Sequence, residues 1–223
     1  MARDAAGGVG GVEDAPMKAT IRRIRQDEGL RLRLLRLAAL ADAPMAFSST
    51  LESEEAFPEQ LWHERAERAA VGADRVTFVA ERDGEWIGLA TGLANDPDDP
   101  NDPRPILVGM FVAPAARGRG IGHALVEAVV AWARDRRATA LIFWVTSTNH
   151  SAIKLYTNCG FRRTGQMRPV VHSPSVTEFQ MCATWADDAT AQTTSWCDRR
   201  PPLAPLAPHQ PRPARDAADA LEC

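Results

Sequence analysis

The spacing of apolar residues along the chain predicts seven strands and four helices. Short apolar or alternating runs, many of them β-branched, are typical of strands. Such runs occupy residues 19–25, 76–81, 85–93, 106–112, 140–146, 162–167 and 177–185. Apolar positions at helical spacing occupy residues 28–41, 58–70, 125–133 and 151–159. The resulting order, β-α-α-β-β-β-α-β-α-β-β, predicts a mixed α/β domain with no internal repeat.

Turn and breaker residues support these boundaries. Asp83-Gly84 stands between two strand-like runs and is a strong signal for a β-hairpin. Pro44 ends the first helix, and Pro58 suits the first position of the second. Residues 94–104 are polar and interrupted by prolines, so we expect a loop there.

The turn that joins the fourth strand to the third helix reads Arg117-Gly118-Arg119-Gly120-Ile121-Gly122. Glycine permits positive φ and a close approach of backbone to ligand, and a helix start adds unbonded N–H groups and a positive dipole end. This turn therefore predicts a phosphate or pyrophosphate site. It matches neither the P-loop nor the G-x-G-x-x-G spacing. The alternative is a flexible turn that carries arginines.

Composition restricts the domain to the middle of the chain. Residues 1–18 hold almost no bulky apolar residue, so we expect a disordered leader, and Met17 is a candidate translation start. Residues 187–223 are rich in proline and alanine, which predicts a disordered tail after a domain at 19–186. No apolar stretch approaches the roughly 20 residues of a membrane span, and the N-terminus lacks a signal-peptide core. We expect a cytoplasmic protein.

Charge and cysteine spacing argue against two classes of partner. The net charge of −3 lacks the basic excess that is typical of nucleic-acid-binding domains. The four cysteines form no C-x-x-C pair, and no histidine stands at zinc-ligand spacing, so we expect no metal.

Four motifs together resemble the GNAT superfamily of N-acetyltransferases over about residues 19–186. Arg117, Gly120 and Gly122 fill the family's Gln/Arg-x-x-Gly-x-Gly/Ala pattern. The other matching positions are Val112 with Pro114 at the end of the fourth strand, Asn149 after the fifth strand, and Leu155-Tyr156 followed by Gly160-Phe161.

The resemblance implies a fold, a donor and a set of site residues. The fold would be a twisted, mostly antiparallel sheet of six to seven strands flanked by about four helices, with the middle strands splayed apart. The donor would be acetyl-CoA and the partner an amine, with no nucleic acid and no membrane; a homodimer is an alternative to a monomer. Tyr156 would be the catalytic acid that protonates the departing thiolate. The implied cofactor-binding residues are Met110, Phe111, Val112, Arg117, Gly118, Arg119, Gly120, Ile121, Gly122, His123, Asn149 and Tyr156.

Each of these side chains also has a simpler interpretation. Tyr156 could pack a short helix against the sheet, and Asn149 could cap that helix. The charges of Arg117 and Arg119 could be solvated, although phosphate pairing suits Arg117. Cys159 could be a nucleophile, but packing beside Gly160-Phe161 is the favoured interpretation because no histidine partner is evident.

The general base is unassigned by the sequence. Many family members carry a glutamate on the fourth strand, where this chain has Gly109-Met110-Phe111. Glu81, Glu178, His172 or a chain of waters are the alternatives. Glu52, Glu54 and Glu55 lie in the predicted connection between the first two helices. They could attract a cationic amine or form an ordinary solvated charge run.

The predicted function is transfer of an acetyl group from acetyl-CoA directly to a primary amine of a small molecule or peptide. A non-catalytic acyl-CoA-binding or sensing module is the first alternative, because the strand glutamate is absent. A nucleotide-binding protein is the second, although the features of a Walker motif are missing.

Overall fold

The computed structural model describes residues 19–99, 101–170 and 172–185, so the predicted leader and tail lie outside the described part. Seven strands are present there: β1 Thr20–Arg23, β2 Arg75–Arg82, β3 Glu85–Leu93, β4 Ile106–Val112, β5 Ala140–Thr146, β6 Arg162–Val170 and β7 Ser173–Thr184. The helices are α1 Gly29–Asp42, α2 Leu51–Glu55, α3 Glu59–Val71, α4 Ile121–Asp135 and α5 His150–Asn158. The predicted mixed α/β class is confirmed.

All seven strands form one sheet in the order β1-β2-β3-β4-β5-β7-β6. Neighbouring strands are antiparallel except β4 and β5, which are parallel. The predicted hairpin turn is present: Asp83 and Gly84 have φ of 52° and 82°, which suits the twist of the two strands they join. The sheet is therefore mostly antiparallel, with its one parallel junction in the middle.

Strands β4 and β5 are paired only at the start of this parallel junction. Ile106 and Ile142 are the one registered pair between β4 and β5, whereas β5 and β7 pair along the whole length of β5. Beyond Ile106 the two strands diverge and leave a gap through the sheet. The expected splaying of the middle strands is therefore present.

Hydrophobic side chains fill both faces of the sheet. On one face α4 and α5 pack against the strands through Leu125, Val129 and Tyr156. On the other face α1 and α3 pack through Leu40 and Trp62. The gap between β4 and β5 thus opens between two layers of helices.

The structure corrects the prediction in the segment after α1. Residues 51–55 form the helix α2 rather than a plain connection, which gives five helices instead of four. Thr50 and Ser53 cap this helix reciprocally through side chain and backbone. Five residues are too few to show a helical period, so the apolar pattern could not reveal it.

The last two strands are longer than predicted. Pro169 reads as a breaker in the sequence, yet it lies within β6 and opposes Thr177 of β7. Because β6 is at the edge of the sheet, a residue without an N–H group is tolerated there. Of the described helices, none has the length and apolar character needed to cross a bilayer.

Candidate functional site

A groove of about 660 Å³ runs through the gap between β4 and β5. Its walls are the separated edges of the two strands, and α5 and the glycine turn close one side. The lining residues from these elements include Met110, Phe111, Val112, Phe143, Trp144, Thr146, Asn149, Lys154, Leu155 and Tyr156. Asp42, the last residue of α1, and Phe47 in the segment after it border the same space. One groove therefore touches β4, β5, α5 and the end of α1.

The glycine turn at the N-terminus of α4 forms one end of the groove. Gly118 and Gly120 have φ of 75° and 79°, and a Cβ on either would meet no atom within 4 Å, so their backbone faces open space. Gly120 is the N-cap of α4, and Ala124 makes the first helical hydrogen bond, to the carbonyl of Gly120 (3.1 Å). The N–H groups of residues 121–123 precede the helical ladder and are available to an anion. The turn has the backbone geometry that an anion-binding site needs, and pyrophosphate binding there stays a prediction.

Gly122 is required for close packing rather than for positive φ. A Cβ at this position would lie 3.0 Å from Cδ2 of Leu155 and 3.3 Å from Cε of Met110. The absence of a side chain lets α4 approach both β4 and α5. This close approach brings the turn against the groove.

Arg117 lines the groove, but its guanidinium is held by the protein itself. Nε donates to the carbonyl of Val112 (2.9 Å), and Nη2 pairs with the carboxylate of Asp42. Asp42 is the one carboxylate among the described groove-lining residues. Pyrophosphate pairing by the Arg117 side chain stays a prediction, and so does anion binding by the backbone of the turn.

Helix α5 carries Asn149 and Tyr156 to the same groove, as their spacing indicated. Asn149 is the N-cap: its Oδ1 accepts hydrogen bonds from the N–H of Ala152 and the hydroxyl of Ser151, both at 3.1 Å. The capping interpretation of Asn149 is thus confirmed, and its position on the groove wall leaves the ligand-contact prediction standing.

Tyr156 combines packing with access to the groove. Its ring is 5% exposed and lies 3.7 Å, centroid to centroid, from the ring of Phe143. Burial raises the pKa of the Tyr156 phenol well above its ordinary range. The hydroxyl therefore keeps its proton at neutral pH and can act as a donor.

Cys159 is a poor nucleophile in this setting. Its side chain is partly buried against the core beside α5, and burial raises the pKa of the thiol. A thiol with a raised pKa holds little thiolate at neutral pH. The packing interpretation is the better one.

Most of the predicted cofactor-binding residues line the groove. Arg119 and Ile121 do not: Arg119 is exposed, and Ile121 is 4% exposed and packs in the core beneath the turn. Their backbone remains part of the turn, so a main-chain contact stays a prediction for both. The sequence interpretation missed Asp42, Trp144 and Thr146, because nothing in a local motif indicates that α1 and β5 end beside the turn. It also missed Lys154 on α5.

None of the proposed general bases lines the groove. Glu81 pairs with Arg22 (2.6 Å), and Glu178 pairs with Arg168 (3.0 Å). His172 is exposed after β6. A buried aspartate, Asp96, accepts from Nε1 of Trp144 (3.3 Å), and burial raises its pKa, but it too lies behind the groove wall. No carboxylate named from the sequence stands within the described groove.

The acidic segment in α2 is not a uniform solvated run. Glu52 and Glu55 are exposed, whereas Glu54 is fully buried. The Glu54 carboxylate accepts from Nη2 of Arg36 (2.7 Å) and from Nη1 of Arg65 (3.3 Å). Burial acts to raise the pKa of Glu54, but the two arginines and Ser49 bring it below its ordinary value. Glu54 is therefore a buried counter-ion of these arginines and is not exposed to attract a cationic amine from solvent.

The sequence matches a family model and several named proteins. The model described as acetyltransferase (GNAT) family matches residues 37–161. Mycothiol acetyltransferase of Acidothermus cellulolyticus is 32% identical over 141 residues, covering 59% of this chain and 40% of that protein. N-acetyltransferase 8 of Homo sapiens is 34% identical over 89 residues, covering 40% of this chain and 39% of that protein. The chain spans about two fifths of the length of these relatives.

Solved structures share the fold over about three quarters of this chain. A GCN5-related N-acetyltransferase from Kribbella flavida superposes with a TM-score of 0.60 at 25% identity, covering 77% of this chain and 100% of that one. The PaiA N-acetyltransferase from Thermoplasma acidophilum, solved in complex with coenzyme A, gives a TM-score of 0.59 at 16% identity, covering 76% and 100%.

Proposed function

Because the chain belongs to the acetyltransferase (GNAT) family, we propose that it transfers the acetyl group of acetyl-CoA directly to a primary amine of a small molecule or peptide. One observation carries the proposal: the glycine turn at the start of α4 and the phenol of Tyr156 line a single groove through the sheet. An elongated acyl donor needs both, an anchor for its phosphates and a proton donor for its sulfur.

The turn anchors the donor through its main chain. The N–H groups at the start of α4 and the positive end of the helix dipole favour a pyrophosphate there. Gly118 and Gly120 leave that backbone unobstructed. This anchor fixes one end of the donor and directs the other end along β4.

The free edge of β4 supplies donors and acceptors beside the thioester. Beyond Ile106 this edge has no partner strand among the described residues, because β5 has diverged. Met110, Phe111 and Val112 line the groove along this edge. Backbone N–H groups aimed at the carbonyl oxygen lower the barrier as negative charge develops on it.

Tyr156 completes the transfer as an acid. When bound, acetyl-CoA supplies a thioester, and in the transfer a C–N bond forms while the C–S bond breaks. The amine loses one proton to solvent, and the sulfur gains one from the Tyr156 hydroxyl, which is then reprotonated by water. Burial raises the pKa of the Tyr156 phenol, which keeps the proton on the oxygen before the transfer but also makes the phenol a weaker acid than a solvated tyrosine.

Release of free thiol from acetyl-CoA tests the proposal directly. The purified chain is incubated with acetyl-CoA and a panel of amino acids, peptides, polyamines and amino sugars. We expect amine-dependent thiol release with at least one class. Binding of acetyl-CoA with no release across the panel would contradict the enzymatic proposal and favour a sensing module.

Tyr156→Phe tests the role of the phenol. The variant keeps the ring stack on Phe143 and should bind acetyl-CoA with unchanged affinity, while turnover falls about 10²- to 10⁴-fold, the usual contribution of a positioned acid. Calorimetry measures the affinity, and thiol release measures kcat. Thr157→Val is the matched control, since it removes an exposed hydroxyl one residue away on the same helix. Equal kcat in Tyr156→Phe and wild type would refute the assignment.

A further inference from the structure

A second, smaller cavity lies beneath α1, α2 and α3, and it is strongly charged. Its volume is about 70 Å³, room for several waters or for one carboxylate group. Four ionised side chains line it: Arg36 from α1, Glu54 from α2, Arg65 from α3 and Arg75 from β2. Three guanidiniums and one carboxylate share this small space.

The carboxylate already accepts hydrogen bonds from at least two of the arginines. Glu54 accepts from Arg36 at 2.7 Å and from Arg65 at 3.3 Å, and it is fully buried. Arg75 is 6% exposed and lines the same cavity from the first position of β2. Burial lowers the pKa of the Arg65 guanidinium, and the charges of Arg36 and Arg75 act in the same direction. A small anion in the cavity would be attracted by all three guanidiniums.

A residue that lines the cavity also carries a neutral donor without a partner among the described residues. Trp62 is fully buried and lines the cavity, and its Nε1 has no hydrogen-bond partner among the described residues. A buried N–H without an acceptor is costly, so an acceptor atom of a ligand or a water in the cavity would satisfy it. The hydroxyls of Thr77 and Thr91, 2.8 Å apart, supply further polar surface.

The cavity borders the groove at one point on β4. Val108 and Gly109 line both spaces. Gly109 has φ of 62°, and a Cβ built on it would lie 3.9 Å from Nη1 of Arg36. The guanidinium of Arg36 therefore sits a few ångströms from the part of β4 that precedes Met110 and Phe111.

We infer that this cavity receives a carboxylate of the acceptor, so that the substrate class is an amino acid or another amine with a carboxylate a few bonds from its nitrogen. The inference rests on the proposed function, because it places the amine in the groove at Gly109 and its carboxylate beside Arg36 and Arg75. Arginine is well suited to this role, since its planar guanidinium binds carboxylates in a bidentate manner.

The test compares each amino acid of a panel with its own carboxamide as acceptor, at saturating acetyl-CoA. The carboxamide keeps the amine and side chain and lacks only the negative charge. Its amine also loses a proton more readily, so any intrinsic bias favours the carboxamide. We expect kcat/KM to be higher for the acid by about 10- to 100-fold, the range for hydrogen bonds to charged groups.

Arg75→Gln is the variant of choice, because a change at Arg36 or Arg65 would remove a hydrogen bond to the buried Glu54 carboxylate. It should lower kcat/KM for the acid by a similar factor, chiefly through KM, and leave the carboxamide unchanged. Arg25→Gln is the matched control, an exposed arginine ahead of α1 that does not line the cavity. Trp62→Phe provides a second variant that removes only the N–H, and we expect a several-fold loss specific to the acid.

A binding measurement that does not depend on turnover tests this inference independently of the proposed function. Thermal unfolding is followed with increasing sodium acetate, the smallest carboxylate probe, against sodium chloride at equal ionic strength. An acetate-specific rise in Tm that disappears in Arg75→Gln supports the site even if no amine of the panel is acetylated. Equal use of acids and carboxamides, a preference that survives Arg75→Gln, or the absence of any acetate-specific shift would overturn the inference.

Discussion

Tyr156 is the only tyrosine of the chain, and the structure gives it an unusual environment. Its ring is enclosed by Phe143 and Phe161, which exclude water from the phenol. An ionised phenolate has no compensating positive charge there, so burial holds the pKa above its ordinary value. The residue can therefore be followed alone by its own absorbance.

We predict that the folded protein shows no tyrosinate at a pH near 10, where an exposed tyrosine is half ionised. Ultraviolet difference spectra during an alkaline titration measure this directly. Because the unfolded chain releases the proton first, stability is retained below that pH and is lost as pH rises above it. A tyrosinate band with an ordinary midpoint in the folded protein would show that the phenol is solvated.

Glu54 is the residue on which the buried charge cluster depends. We predict that Glu54→Gln destabilises the protein by about 3–5 kcal/mol, because it leaves the guanidiniums of Arg36 and Arg65 buried without their shared carboxylate. Chemical unfolding measures the loss. Glu55→Gln, an exposed neighbour on α2, should be nearly neutral.

The destabilisation caused by Glu54→Gln should depend on pH. The folded pKa of Glu54 is lowered, so its stabilisation is present above the ordinary carboxyl pKa of about 4.3 and is lost as pH falls below it. The difference in unfolding free energy between wild type and Glu54→Gln should therefore shrink in acid. A difference that stays constant down to low pH would argue against an ionised Glu54.

At the scale of elements, the turn before α4 can be compared with the hairpin turn between β2 and β3. Gly120 and Gly84 have φ of 79° and 82°, and a Cβ on either meets nothing within 4 Å. Alanine at either position should cost about 1–2 kcal/mol from the left-handed backbone alone. Gly120→Ala should in addition weaken acetyl-CoA binding, measured by calorimetry, whereas Gly84→Ala should not. Equal affinities in the two variants would remove the donor from this turn.

Local patterns predicted most of these elements, because strands and helices with one buried face carry their periodicity in the sequence. The limits of β4 and β5 coincide with the predicted 106–112 and 140–146. Helix α2 was missed because it is short and is stabilised by caps and by one buried carboxylate.

Long-range contacts were also missed: Arg117 pairs with Asp42, 75 residues earlier in the chain. The glycine turn and Tyr156 were recognisable since their chemistry lies in short motifs, whereas the Arg36–Glu54–Arg65 cluster joins three separate helices.

At the scale of the whole molecule, the sheet consists of two halves, β1 to β4 and β5-β7-β6, joined at Ile106 and Ile142. A ligand that contacts both halves stabilises the folded chain by mass action. We predict a gain of about 2.7 kcal/mol at acetyl-CoA concentrations 100 times Kd. ATP, which has phosphates but no pantetheine arm, is the control in thermal unfolding. An equal gain with ATP would favour the nucleotide-binding alternative.

The early divergence of β4 and β5 leaves one edge of each strand without a partner strand beyond Ile106 and Ile142, among the described residues. An open edge is a template on which a foreign strand can pair. The acyl donor would therefore serve as a protective cover as well as a reactant. Protein without bound donor would therefore aggregate by strand addition more readily than protein with donor bound. The concentration of donor would set the rate of this aggregation.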